Sequence, residues 1–521
     1  MPFAPVLALT APLAGVLALL LMDYVSPLRP YRRYVLPLGA GLSLLGVLFA
    51  PWEAPRPFLL SRWQPLSLFG TFPVLLADRV VWPLALAWAG AVAGSALVQM
   101  GRPQLLRSAI GAAILAMLTF GLGALWGENL LTVLLAWAGF DLAWGIGMAS
   151  AGLPGERVAW GVGSGVVATA LLWIGALLLE KAGSGLSWLL MTPAGWGETF
   201  LLLAALVRLG VYPLHFIVPT EMRRGRPVTV ALRLEPLLAW GLLARMSSQA
   251  GISIPGGVVL EALAAATFVV GGFLAWAVTD PDQRTPWVGM AAAGGVLWAG
   301  LRAGYAAGGA WAAGGTAWTL GLTLLYLGQG WERTAPVWTA ASVLGGLALL
   351  AAPLASGGIL SPPDVLMAIL FPLGQALLTA AVAKDILRPT AQEEPVGLLP
   401  AIAQASGLVI PAIALVLAWG AAPKAAPTLE GWGAWVAGTL LGGGWVALEF
   451  LMPWARRRSL QAIAEALRPE WAGRLLVYSL GRLTGFLDAV ADVAEGPGAV
   501  LWALATFLLI LVMVTRRPGV P

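Results

Sequence analysis

The chain has 521 residues, 59% of them hydrophobic and only 11% charged, and its mean hydropathy is +0.84. So few polar residues cannot cover a water-soluble globule of that size, which excludes an ordinary soluble protein and puts the chain in a lipid bilayer. The net charge of +5 comes almost wholly from arginine, since the only lysines are Lys181, Lys384 and Lys424, all in expected loops, and nucleic acid is not implied.

Apolar runs of about 20 residues, the length a helix needs to cross the hydrocarbon layer, recur along the whole chain. About sixteen are expected, near 5–22, 34–51, 79–98, 105–125, 129–150, 158–179, 195–217, 228–247, 256–278, 286–304, 309–328, 335–354, 365–386, 398–420, 431–452 and 498–515. The first is too long, and lacks the basic start and small-residue cleavage site, to be a removable signal peptide. Residues 52–77 mix aromatics and prolines as a short hairpin does. Residues 454–497 place Leu460, Ile463, Leu467, Leu475, Leu483, Phe486 and Val490 on one side, with Arg468, Arg474, Arg482 and Asp488 interspersed. That pattern reads as an amphipathic helix on the membrane surface or strapped laterally across neighbouring helices, either a plain connector or a partner-binding strut.

The expected organisation is a polytopic membrane domain over 1–453, the amphipathic helix over 454–497, and a final transmembrane helix with its tail over 498–521. Loops are short, and none holds a soluble domain. Basic residues concentrate in loops after odd-numbered spans, among them Arg29, Arg32, Arg33, Arg223, Arg224, Arg226 and Arg456 to Arg458. The positive-inside rule then places the N-terminus outside and the loop after Arg208 in the cytoplasm of a cell whose inner (plasma) membrane holds the chain.

The absence of cysteine excludes iron–sulfur clusters, disulfides and thiol chemistry, and a single histidine excludes the usual zinc clusters and bis-histidine haem. No metal, cofactor or catalytic centre of its own is expected. What stands out is charge inside the apolar runs. Asp141 falls midway along its span, where an unpaired carboxylate binds a proton in preference to staying charged. Arg208 is the best partner, through a bidentate guanidinium–carboxylate pairing, and as an arginine it stays charged. Arg233 and Glu235, two residues apart beside Pro236, do not face each other on a regular helix and should pair with other helices unless Pro236 distorts the turn. His215 titrates near physiological pH and can pass protons or simply pin the chain. Arg302, Arg245, Glu449 and Asp364 lie near expected span ends, where snorkelling to the headgroups explains them.

The segments "VRLGVYPLHFIVP" (207–219) and "LALLAAPLASGGILSPP" (347–363) each interrupt a span with proline, so Pro213 and Pro353 are expected helix breaks. Paired broken helices are the trace of inverted-repeat transporters. The stretch "YPLHFIVPTEMRRGRPVTVALRLEPLLAWGLLAR" resembles the signature of the antiporter-like, proton-conducting membrane subunits of respiratory complex I and of multisubunit cation/proton antiporters, with Pro213, His215, Pro219, Pro227, Val228 and Thr229 in matching spacing. "LLADRVVWPLALAWA", "LAWAGFDLAWGIGM" and "TDPDQRTPWVGMAAAGG" are similar to that family's third, fifth and tenth spans.

The resemblance implies an all-α core of two inverted five-helix repeats, about 105–247 and 256–388, with a proton path along the membrane midplane and other membrane subunits as partners. Asp141 stands for the family's fifth-span glutamate, Arg208 for its seventh-span lysine, Arg233 for its eighth-span histidine and Arg284 for the lysine opening the tenth. The eighth-span lysine falls on Ala239, no basic residue occurs in "GGTAWTLGLTLLYLG", and the twelfth span has only Asp364 nearby, so the second repeat is expected to have lost its relay. The implied function is proton or small-cation translocation within a complex I-like or antiporter-like assembly, including a proton-pumping oxidoreductase. The alternatives are a non-conducting scaffold in which Asp141 and Arg208 only fix helix register, or the membrane subunit of an inorganic-carbon uptake complex.

Overall fold

The computed structural model describes residues 3–53, 57–60, 71–101, 107–153, 155–192, 195–214, 227–248, 257–303, 307–328, 336–355, 365–387, 398–422 and 428–451, together with Leu467, Tyr478 and Arg482. Within these, fifteen α-helices follow the expected runs closely: α1 Phe3–Tyr24, α2 Arg32–Phe49, α3 Trp82–Met100, α4 Ser108–Trp126, α5 Leu130–Ser150, α6 Gly155–Lys181, α7 Trp196–Leu209, α8 Pro236–Ser248, α9 Gly257–Ala277, α10 Pro281–Arg302, α11 Ala307–Gly328, α12 Pro336–Ala355, α13 Val365–Leu387, α14 Leu398–Ala421 and α15 Leu429–Leu451. Ten helical segments are long and apolar enough to span a bilayer. A 3-10 segment, Pro227–Arg233, joins α8 at a 41° bend as an eleventh candidate. The expected last span and nearly all of the amphipathic 454–497 segment lie outside the described residues.

Exposure sorts the helices. α3 and α11 are buried on nearly every side, whereas α1, α6, α14 and α15 keep a face of exposed Leu, Val, Ile and Trp, as expected of helices that border lipid. Glycine sets how closely the buried helices approach. A Cβ on Gly94 of α3 would sit 2.5 Å from the Gly407 carbonyl oxygen of α14, and one on Gly407 would sit 2.6 Å from that of Gly94. Small residues at such crossings give membrane helices their van der Waals contact.

The expected hairpin is present as two short antiparallel strands, β1 Phe58–Leu59 and β2 Val74–Leu75. β2 continues into the α4–α5 loop, where Leu76 donates to the Trp126 carbonyl at 2.6 Å and Glu128 donates to that of Val74 at 3.0 Å. Asn129 caps α5 by accepting from the Thr132 amide at 2.9 Å. The α6–α7 loop is stitched on by Trp188, which donates its amide to the Glu128 carbonyl at 3.1 Å and its indole N–H to Gly127 at 3.0 Å, while the Ser187 hydroxyl donates to the Glu128 carboxylate.

α7 ends earlier than the sequence suggests. The expected break is Pro213, but the helix stops at Leu209 because Gly210 adopts a left-handed cap (φ 64°), the conformation that most often closes a helix. Pro213 follows in a turn, and α12 ends two residues after Pro353.

Two outcomes follow from these contacts. Gly407→Leu must push α14 off α3 and should lower stability by about 1–3 kcal/mol, read as earlier thermal unfolding in detergent; an unchanged melt would contradict the contact. Burial pushes the Glu128 carboxyl above its ordinary range, opposed by the Ser187 hydrogen bond and the Arg245 charge. The folded chain then holds this proton more tightly than the unfolded one, so its contribution to stability declines as pH rises from the ordinary carboxylate range through the raised value. Glu128→Gln should flatten that part of the stability–pH profile, and a profile identical to the parent would count against it.

Candidate functional site

α5 and α6 bring the central carboxylate into place. α6 can lie against Asp141 because residue 165 is glycine; a Cβ there would be 2.7 Å from the Asp141 Cγ. From α6, Thr169 donates its hydroxyl to Asp141 Oδ2 at 2.8 Å. Arg208, in the last turn of α7, reaches across and places Nη2 2.8 Å from both carboxylate oxygens and 3.3 Å from the Thr169 hydroxyl. The guanidinium lies over the Trp137 ring, 4.2 Å from its centroid, and its side chain is fully buried. An aromatic face holds a desolvated cation well.

The expected fork-on-fork pairing is not what forms. One nitrogen serves both oxygens of Asp141, and this frees Nη1 to approach Glu235 Oε1 at 3.5 Å. Arg208 thus stands between two carboxylates, one from α5 and one from the 41° bend that precedes α8. Glu235 thus meets Arg208 from a different element. Arg233 is half-buried beside it.

Arg208, Arg233 and Glu235 form the charged wall of a cavity of about 50 Å³. The facing wall is Pro286, Gly289, Met290 and Ala293 of α10 with Trp318 and Leu322 of α11. Among the described residues, Arg208 Nε and Nη1 meet no hydrogen-bond acceptor. Of the five sequence candidates, then, Asp141, Arg208 and Glu235 converge, Arg233 lines the same cavity, and His215 lies outside the described residues. Among the described residues, no group of three or more His, Cys, Asp or Glu could hold a metal ion.

Three expectations fail. Arg245 is not a snorkelling residue but is 1% exposed, donating to Asp78 at 3.0 Å, to the Leu125 carbonyl at 2.7 Å and to that of Leu76 at 3.1 Å. Asp78 in turn accepts from the Val80 and Val81 amides at the start of α3. Lys384 is not in a loop but inside α13, buried, and 2.8 Å from Glu449 of α15, the other supposed snorkeller. Glu449 also accepts from the Trp276 indole. The second half also keeps a buried pair: Arg284 of α10 and Asp385 of α13 lie 2.6 Å apart, and Arg284 donates to the Val278 and Thr279 carbonyls. Arg302, half-buried, pairs with Glu261 at 2.7 Å. Asp364 lies outside the described residues. Sequence reasoning missed Lys384, Asp385 and Glu449 because charges near helix ends carry no mark of burial.

No family model and no curated protein matches the chain in sequence. Solved structures do. A chain of the Mrp complex from Dietzia sp. matches with a TM-score of 0.68 at 15% identity, covering 99% of this chain and 64% of that one. A chain of the membrane-bound sulfane sulfur reductase, an archaeal respiratory membrane complex, matches with a TM-score of 0.63 at 16% identity over 97% of this chain and 99% of that one. A chain of respiratory complex I from Thermus thermophilus matches with a TM-score of 0.50 at 20% identity over 86% and 98%. The chain is an all-helical, multi-pass membrane protein, and it shares its fold with chains of these three membrane and respiratory complexes. It spans 64% of the length of the Mrp-complex chain.

Removing one member of the central pair leaves the other buried alone. Arg208→Met should therefore destabilise the protein by about 3–5 kcal/mol, while Arg208→Met combined with Asp141→Leu should recover much of that loss. Additive losses in the double variant, measured by thermal or denaturant unfolding in detergent, would mean the two groups do not depend on each other.

Proposed function

We propose that this chain is an antiporter-like membrane subunit of a larger complex, in which Asp141 binds and releases a proton or small cation and Arg208 is the fixed cation that steadies the site in both states. The observation that carries this reading is the burial of two carboxylates, Asp141 and Glu235, on one guanidinium beside a cavity. Ionisable groups inside a membrane are costly and mark ion pathways. An arginine cannot pass a proton on, so transfer runs between the carboxylates while Arg208 stays charged. The fold shared with chains of the Mrp complex and of respiratory complexes supports assembly with other membrane subunits, and the distribution of arginines supports an N-terminus outside the plasma membrane.

One observation favours the scaffold reading. The buried ion pairs of Arg208, Arg245, Arg284 and Lys384 are closed at 2.6 to 3.5 Å, as expected of groups that only fix helix register. Asp141→Asn in the purified complex, reconstituted in proteoliposomes, separates the two. Loss of coupled proton movement with assembly intact supports translocation; unchanged movement with intact assembly supports the scaffold.

A further inference from the structure

The cavity's two walls differ in kind, and α10 is why. At 100° per residue, Pro286, Gly289, Met290 and Ala293 fall at roughly 200°, 140°, 240° and 180° from Arg284 around the helix. The residues that line the cavity therefore occupy the face of α10 opposite the one that carries Arg284 to Asp385. α11 completes the apolar wall with Trp318 and Leu322, and the Trp318 indole N–H is spent on the Gly289 carbonyl at 2.7 Å. That wall offers the cavity no polar partner from these groups. The charged wall offers several, including two Arg208 donors that meet no acceptor among the described residues.

We infer that the cavity is a water-holding pocket serving the Asp141–Arg208–Glu235 centre, and that α10 with Trp318 and Leu322 insulates it from the Arg284–Asp385 and Lys384–Glu449 pairs. Its volume of about 50 Å³ accommodates about three waters, enough to satisfy the Arg208 donors and Glu235 together. An apolar partition without polar groups stops protons by excluding the water they would hop along. The two charged clusters then cannot exchange protons along the midplane, and the centre in the first half of the chain must load and unload on its own side of α10. This inference rests on the translocation reading, but its test does not need coupled transport.

The full-length chain, purified and reconstituted in vesicles with a trapped pH-sensitive dye, should be tight to an imposed pH gradient. Trp318→Ala should raise passive proton entry by about tenfold or more by letting water cross the partition. Trp318→Phe, which keeps the bulk and loses the indole donor, should stay tight, and adding Glu235→Gln to Trp318→Ala should restore tightness. Leu322→Asn provides a second opening of the same wall. The inference is overturned if the parent chain already conducts and Arg284→Met with Asp385→Leu abolishes the current. It is equally overturned if Trp318→Ala and Leu322→Asn, both with parental helix content, remain as tight as the parent. Either result is independent of whether Asp141→Asn blocks coupled transport in the assembled complex.

Discussion

A guanidinium buried between two carboxylates organises the interior of this protein. Arg208 could not be buried there without a counter-charge, so the sequence must supply a carboxylate and the fold must bring Asp141 within 2.8 Å. Much of the local architecture serves that contact. Gly165 admits α6 to the carboxylate, Thr169 takes one of its oxygens, Trp137 underlies the cation, and Gly210 ends α7 just beyond it. The bend before α8 turns Glu235 toward the remaining nitrogen.

The same solution recurs elsewhere in the core. Arg245 and Arg284 each combine one carboxylate with backbone carbonyls at helix ends, which satisfies several donors of a group that cannot shed its charge. These two differ from Arg208 in the partners they meet. Their partners include backbone carbonyls, which do not take up a proton, whereas Arg208 faces two carboxylates and a cavity. Lys384, in the last turn of α13, is held by Glu449, the Trp276 carbonyl and the Trp276 ring, which ties α15 to α13 and α9.

Much of this was legible in the sequence, for a physical reason. A spanning helix needs about 20 apolar residues whatever its neighbours are, so most of the helices appear in the hydropathy pattern, with ends that differ by several residues at α7, α8 and α10. A charge in the middle of such a run, like Asp141 or Arg208, is conspicuous because lipid offers it nothing. Charges near the ends of runs are ambiguous, since Arg245, Lys384 and Glu449 have enough reach to snorkel, and only the packing of distant helices decides that they turn inward. The end of α7 was misplaced by four residues because proline is the louder signal, although glycine in the left-handed conformation closes the helix first. The pairing of Arg208 with both carboxylates was half visible: two residues apart, Arg233 and Glu235 would not face each other on a regular helix, but nothing local said whether Pro236 would distort the turn or which helix Glu235 would meet.

Translocation as proposed requires Asp141 to gain and lose a proton while Arg208 holds its place. Infrared difference spectra of the assembled, membrane-embedded protein between two pH values read this directly. The account predicts a carboxyl C=O band that grows at the lower pH, shifts when Thr169 is replaced by valine, and is missing in Asp141→Asn. A difference spectrum that is the same with and without the Asp141 carboxylate would contradict it.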